Sequence, residues 1–183
     1  MQKKFLLYTL GLLFSFSQAF SAPRQIVIVP SAEQNGIDLT LKGKERSQAL
    51  SPYLINNSNY NAAGNYYALF AAKPSYACKS FASQKTFLPL GWSLSLPVHS
   101  PYGVGQESLL VDLIMSSDVY EGKNIAIVWD SSAILNLIGS FHFTISFSYT
   151  GQSDVVFVLI DPSSPGIALA YPQQLLYGDS SSL

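Results

Sequence analysis

Length, composition and charge exclude several classes of protein. The chain has 183 residues, of which 48% are hydrophobic and 11% charged, and its formal net charge at pH 7 is -1. A surface this close to neutral argues against nucleic acid as a partner and against an acidic disordered tail. Cys78 is the only cysteine, which excludes an intrachain disulfide, so the hydrophobic core alone must stabilise the fold.

The first residues have the layout of a secretory signal peptide. Two lysines precede an apolar run over 5–16, and the small residues Ala19 and Ser21 follow it. This run is shorter than the roughly 20 residues of a membrane-spanning helix, so we predict a signal peptide, residues 1–21, rather than an uncleaved anchor helix. Cleavage after Ala19 or after Ser21 fits the small-x-small pattern, and we expect the second.

The predicted mature chain is residues 22–183, a normal size for one domain with a single core. Removal of two lysines would change its net charge to -3, with eight Lys and Arg against eleven Asp and Glu. The signal predicts export, either to the periplasm or outside the cell. We expect no membrane contact after the signal is removed.

Strands and helices are predicted to alternate from the start of this mature chain. Arg24–Val29 is largely an apolar, β-branched run, typical of a strand buried on both faces. Thr40 is a plausible N-cap for a helix that begins at Leu39 and that Pro52 should end or kink. The following predicted elements are a polar loop over 56–65, a strand over 66–72, a helix within 80–92, an edge strand over 96–99, an amphipathic helix over 106–115, a strand over 124–128 and a helix over 131–141.

The last part of the chain has a different pattern. Residues 143–149 alternate between apolar and polar side chains, and two further short apolar runs, 154–160 and 167–170, are separated by turns rich in Gly, Pro and Ser. We expect these segments to add antiparallel strands at one edge of the sheet. The predicted fold class is α/β, a three-layer α/β/α arrangement whose mostly parallel sheet is flanked by helices on both faces, with antiparallel edge strands near the C-terminus.

Several segments carry motifs that occur in the same order in one known family. IVIVPSAE and LTLKGKERSQAL are followed by KSFASQKTFLPLGWSLSLPV, NIAIVWDSSAILNLIGSF and the tail YPQQLLYGDSSS. Together they resemble the histidine phosphatase superfamily, also called phosphoglycerate mutase-like, over residues 24–180. That family has Arg-His-Gly/Ala-Glu after its first strand, then Leu-Thr-x-x-Gly-x-x-Arg/Gln-Ala-x-x-Leu, a later Ser-x-Arg-x-x-x-Thr, and in some exported bacterial branches a triplet such as Trp-Glu-His.

The resemblance implies a position in this chain for each of the family's catalytic residues. In the family one histidine attacks phosphorus, a second holds the transferring group, and two arginines clamp its oxygens. Here Pro30 stands in place of the first arginine, Ser31 of the nucleophilic histidine, Ala82 of the second arginine, and Ser131 of the second histidine. The matching residues belong to the scaffold: Glu33, Leu39, Thr40, Gly43, Thr86, Pro89 and Leu90.

Coordinated replacement of the catalytic set implies a protein without phosphatase activity. Loss of a nucleophile typically costs about a millionfold in rate, and loss of one positioned donor about 3 kcal/mol. We therefore expect an exported pseudophosphatase that binds an unknown protein or small ligand, with no cofactor and no metal. The candidate ligand-binding residues are Ser31, Glu33, Lys79, Lys85, Asp130 and Ser131.

Alternatives to this hypothesis stay open. A hydrolase with shifted chemistry could use Ser31 or Ser131, or some residual phosphatase activity could remain. A serine nucleophile needs a base within hydrogen-bond reach, and the sequence offers only His99 and His142. The two lysines beside position 82 could offer charge to an anion or could be solvated helix residues. A decaying relative with little selected function is a further possibility.

Overall fold

The computed structural model describes residues 22–74 and 79–181, so the predicted signal peptide, residues 1–21, and Cys78 lie outside the described residues. The helices and strands of the described part alternate along most of the chain. In chain order they are β1 (Gln25–Pro30), β2 (Gln34–Asn35), β3 (Asp38–Leu39), α1 (Leu41–Asn56), β4 (Tyr66–Ala71), α2 (Ala82–Leu94), β5 (Val98–His99), α3 (Glu107–Met115), a 3-10 turn (Asp118–Tyr120), β6 (Asn124–Trp129), α4 (Ile134–Ser140), β7 (Phe143–Thr144), β8 (Val155–Ile160), β9 (Gly166–Ile167) and β10 (Leu169–Pro172).

Six of these strands form one sheet, in the order β10-β8-β1-β6-β4-β5. β1, β6, β4 and β5 run parallel, while β8 lies antiparallel to both β1 and β10. Every residue of β1 and of β6 is buried, which explains why their sequences are nearly continuous apolar runs. The predicted mostly parallel sheet, with antiparallel pairing added by the C-terminal part, is confirmed.

Helices cover both faces of this sheet. Successive strand side chains point to opposite faces, so Ile26 and Ile28 pack in one core cluster with α3 and α4, while Val27 and Val29 pack in a second cluster with α1 and α2. This confirms the three-layer α/β/α arrangement. Within the described ranges, no helix has the length and apolar character needed to cross a bilayer.

α1 is joined tightly to the turn that follows β1. Thr40 is its N-cap, with the side-chain oxygen accepting a hydrogen bond from the Gly43 amide at 3.0 Å. The Thr40 amide in turn donates to the Glu33 carbonyl oxygen at 2.9 Å. Pro52 lies in the last turn of α1, near the end that the sequence predicts, and the helix ends four residues later at Asn56. Pro52 is exposed, so water can bond the carbonyl that loses its amide donor.

Two boundaries differ from the prediction. The helix expected over 131–141 begins only at Ile134, because a turn follows β6, closed by a hydrogen bond of 3.0 Å from the Ala133 amide to the Asp130 carbonyl. The alternating segment 143–149 forms a ladder only at Phe143–Thr144, which pairs with β9 in parallel, in a separate two-stranded sheet rather than antiparallel at the edge of the main one. Its later apolar side chains still pack against the core, so burial, rather than strand pairing, accounts for the alternation.

The close contact between α1 and the β1 turn gives a stability prediction. A Cβ atom at Gly43 would lie 2.1 Å from the Glu33 carbonyl oxygen, whereas a Cβ at Gly139 in α4 meets nothing within 4 Å. We expect Gly43→Ala to lower the free energy of unfolding by about 1 to 3 kcal/mol through overpacking. Gly139→Ala, the matched control, should be neutral or stabilising by up to about 1 kcal/mol. Urea unfolding of both variants checks this, and an unchanged midpoint for Gly43→Ala contradicts it.

Candidate functional site

The candidate site lies at the carboxyl ends of β1 and β6, which are neighbours in the sheet. Pro30 and Trp129 are register partners at the ends of these strands, so the residues after them emerge side by side. The Ser31 amide donates to the Trp129 carbonyl oxygen at 2.8 Å, which continues the ladder by one bond. In open α/β sheets this edge is where ligands bind.

Ser31 is buried and hydrogen-bonded to neutral groups. Its side-chain oxygen donates to the Trp129 carbonyl at 3.0 Å and lies 2.6 Å from the Ser83 hydroxyl, and only 4% of Ser31 is exposed. Because the Ser31 proton goes to the carbonyl, the Ser83 hydroxyl is the donor of the second bond. No signal in the sequence singled out Ser83, which α2 places against the turn.

Ala82 precedes Ser83 in α2 and packs against apolar side chains. It is 1% exposed and forms a small buried cluster with Ala32 and Leu39. The Ala32 amide donates to Thr86 Oγ1 at 3.0 Å, and that hydroxyl donates to the Ala82 carbonyl at 2.7 Å. The structure therefore brings together Ser31 and Ala82, to which the resemblance assigns the positions of the nucleophile and of the second arginine. Both hold small, neutral, buried side chains.

Asp130 and Ser131 follow β6 on the same edge. Asp130 is buried, and its carboxylate accepts hydrogen bonds from the amide and the hydroxyl of Ser132, at 2.9 and 2.5 Å. Burial, followed by the negative charge of Asp130, raises the pKa of the Tyr149 phenol. Ser131 is half-buried in this turn. Asp130 thus adds negative charge to an edge where a phosphatase needs positive charge.

A second buried carboxylate lies beneath the end of β6. The Trp129 indole donates to Glu107 Oε1 at 3.2 Å, and the Gly105 amide donates to the same oxygen at 3.0 Å. Glu107 is the first residue of α3 and is only 7% exposed. The sequence does not indicate that Glu107 is buried, because a glutamate at the start of an amphipathic helix is ordinarily solvated.

The two candidate lysines lie on opposite sides of position 82 in the chain. Lys85 Nζ forms an ion pair with Asp38 Oδ1 at 2.8 Å, on the side of α2 that faces the groove between α1 and α2. Lys79 is exposed and directly follows the undescribed residues 75–78. Lys85 is therefore engaged at a surface groove, separate from the buried contact that Ser31 makes with Ser83.

Glu33 belongs to a buried ion-pair cluster centred on Arg46. The Arg46 guanidinium is 2% exposed and donates to the Glu33 carboxylate at 2.7 and 2.9 Å and to the Asp179 carboxylate at 2.6 and 2.8 Å. A further bond of 3.2 Å reaches the Gln173 side chain, and Lys42 approaches both carboxylates at 3.6 and 3.8 Å. Glu33 is thereby held as a structural partner of α1.

The pKa values in this cluster follow from its pairing. Burial alone would lower the pKa of Arg46, but its bonds to Asp179 and Glu33 outweigh burial and raise it. Partial burial would raise the pKa of Glu33, and the bond from Arg46 reverses this and lowers it. The hydrogen bond from Arg46 is the main cause that lowers the pKa of Asp179 to about 2. All three groups are therefore charged at neutral pH.

Sequence reasoning missed Arg46 and Asp179 as a pair. The available signal was Arg46 itself, three residues after Gly43 on the inward side of an amphipathic helix, where a lone charge needs a buried partner. Asp179 comes from the C-terminal tail, 133 residues further along the chain. Helical periodicity contains no information about a contact over that separation.

Neither histidine lies near Ser31. His99 is in β5, three strands away from β1, which corresponds to about 14 Å across the sheet. His142 lines a hollow with Pro162 and Ser163, beyond the end of β1 where Gln25 pairs with Ile160. That end is roughly 20 Å from Ser31 along the strand. Neither imidazole is therefore placed to act as a base for Ser31.

Comparison with known proteins assigns the chain to no family. A scan of protein-family profiles finds no match to the chain, and a search of curated proteins finds none either. Among the described residues, no group of three or more His, Cys, Asp or Glu side chains is placed to hold a metal ion. The functional argument therefore rests on the residues and their geometry.

The depressed pKa of Asp179 predicts acid-sensitive stability. A carboxyl whose pKa falls from 3.8 to about 2 on folding stabilises the protein above pH 3.8, and this contribution is lost as the pH falls toward 2. We expect the free energy of unfolding to drop by about 2 kcal/mol from this group between about pH 5 and pH 2. Asp179→Asn should flatten that drop, measured by urea unfolding across the range. Asp112→Asn, at an exposed acid in α3, is the control, and equal slopes for both variants contradict the prediction.

Proposed function

We propose that this chain is a non-catalytic relative of the histidine phosphatases, a pseudophosphatase that binds a protein or a small ligand. The observation that carries the proposal is the burial of Ser31, at the position that the resemblance assigns to the nucleophile. Ser31 is buried and hydrogen-bonded to a serine and a backbone carbonyl, at the strand end where the resemblance expects an exposed histidine. A buried hydroxyl without a base cannot attack phosphorus efficiently.

The charge at this edge supports the same proposal. Phosphoryl transfer requires positive groups aimed at the phosphate oxygens. Pro30 and Ala82 bring no charge, Asp130 brings a negative one, and the Arg46 guanidinium is bonded to two carboxylates. An incoming phosphate would have to displace Glu33 or Asp179 to reach Arg46.

The retained scaffold supports descent from such an enzyme. The turn after β1, the Thr40 cap, the close approach of Gly43 and the Thr86 bond to the Ala32 amide use residues that match the family's motifs. A fold of this kind can carry a binding function without the family's chemistry, because function depends on the site and not on the fold.

A phosphatase assay tests this proposal. Purified residues 22–183 should hydrolyse p-nitrophenyl phosphate no faster than the Ser31→Ala variant, because Ser31 is buried and Pro30 and Ala82 carry no charge. Ser83→Ala is the matched control, since it removes the hydroxyl that bonds Ser31 and leaves position 31 unchanged. Turnover that disappears in Ser31→Ala and persists in Ser83→Ala would overturn the proposal in favour of a serine hydrolase.

We further propose that the protein is exported after removal of residues 1–21. The Ala22 carbonyl accepts a hydrogen bond from the Gly122 amide at 2.9 Å, so cleavage after Ser21 would leave the described contacts intact. Intact-mass spectrometry of the protein recovered from a host that secretes it should give a chain beginning at Ala22. A full-length chain found only in the membrane fraction would contradict export by a cleaved signal.

A further inference from the structure

Helix α2 is apolar on both sides. Its inner side packs Phe87 and Leu90 into the core, as expected for a helix that covers a sheet. Its outer side carries Leu88 and Trp92, with 38% and 75% exposure, and Phe81 at its N-cap position is 45% exposed. The outward face of a surface helix is normally polar, and a helix that is apolar all round is normally covered.

The exposed apolar residues form one stripe. Positions 81, 88 and 92 are separated by seven and four residues, a spacing that keeps side chains on one line of an α-helix. α2 has 13 residues, which corresponds to a length of about 20 Å. Lys85 is its only charged residue and lies in the middle of the same stripe. We call these four residues, Phe81, Lys85, Leu88 and Trp92, the α2 stripe.

A groove runs beside the α2 stripe, between α1 and α2. The two helices run in the same direction, since Ser47 bonds the Lys85 carbonyl and Ser51 bonds Ser93 further along. The groove has a volume of about 270 Å³. One end carries Lys44, Lys85 and Asp38, and Trp92 lines the other end.

We propose that a second copy of this chain docks on this surface, with the two α2 helices antiparallel across a two-fold axis near Leu88. In this arrangement Trp92 of each copy enters the lysine end of the other copy's groove. An isologous contact requires a surface that is complementary to itself, and the opposed ends of the α2 stripe meet that requirement. This surface is separate from the buried contact between Ser31 and Ser83, and the inference does not rest on the proposed function.

Charge complementarity favours a second copy as the occupant. The face of an indole ring attracts ammonium groups, so Lys44 and Lys85 of one copy suit Trp92 of the other, and the indole N–H can donate to the Asp38 carboxylate. α2 has no acidic residue in its first turn and no basic residue in its last turn. An antiparallel partner brings lysines to the negative end of each helix dipole.

The two lysine ends come close to each other in this arrangement. Each Lys85 lies three residues from the axis near Leu88, so the two are about 9 Å apart along the helices, close to the screening length of about 8 Å at physiological salt. Each Lys85 is paired with Asp38 of its own copy, which offsets their repulsion. The contact is modest beside a standard interface of about 1,600 Å², so we expect a dissociation constant in the micromolar range.

Sedimentation velocity tests the second copy directly. Residues 22–183 should sediment as a monomer at low micromolar and as a dimer at high micromolar concentration. Trp92→Lys should raise the dissociation constant at least about tenfold, because it removes the indole and places a like charge beside Lys44 and Lys85 of the other copy. Leu109→Lys, at a residue 45% exposed on α3 across the sheet, is the matched control and should dimerise like the parent.

Each outcome decides the proposal. Trp92 is mostly exposed, so its variant should unfold at the same temperature as the parent protein. If the Trp92 variant is less stable, Leu88→Lys provides a second substitution in the α2 stripe. Concentration-dependent dimers that both variants of the α2 stripe abolish support the proposal. A parent that stays monomeric at every concentration overturns it, as does a dimer that survives both substitutions or that Leu109→Lys dissociates equally.

Discussion

The buried guanidinium of Arg46 is the interaction on which the rest of the site depends. A charge in the protein interior is tolerated only when it is paired and hydrogen-bonded, and Arg46 meets this condition with one carboxylate from the turn after β1 and one from the C-terminal tail. It thereby fixes the turn against α1 and holds the tail across the same end of the sheet. The same pairing satisfies the guanidinium with internal carboxylates, so this positive charge serves the fold rather than an anionic ligand.

The geometry of the turn after β1 and the burial of Ser31 follow from one set of contacts. Glu33, Thr40 and Gly43 hold the strand, turn and helix together, while Ser31, the position to which the resemblance assigns the nucleophile, is packed against Ser83. A histidine at position 31 would need room that this packing does not leave. We therefore regard the contact between Ser31 and Ser83 as part of the folded core.

Much of the fold could be predicted from the sequence, and much less of the site. β1 and β6 are continuous apolar runs whose burial on both faces dictates their place in the sheet, and the Thr40 cap marks the start of α1 chemically. Contacts between distant segments had no local signal: Asp179 reaches Arg46 from the tail, and Ser83 reaches Ser31 from α2. The predicted strand over 143–149 forms only at Phe143–Thr144. Alternation of apolar and polar side chains indicates which side chains are buried, and not how the backbone hydrogen bonds are made.

The proposed function requires that the edge formed by β1, β6 and α2 does not bind phosphate. Titration of the isotope-labelled protein with inorganic phosphate, followed by amide NMR, tests this requirement. We expect the amide signals of Ser31, Ala82 and Ser83 to stay in place up to millimolar phosphate, because the described contacts of these residues are with neutral groups. Saturable shifts confined to these amides, lost on Ser31→Ala, would contradict it.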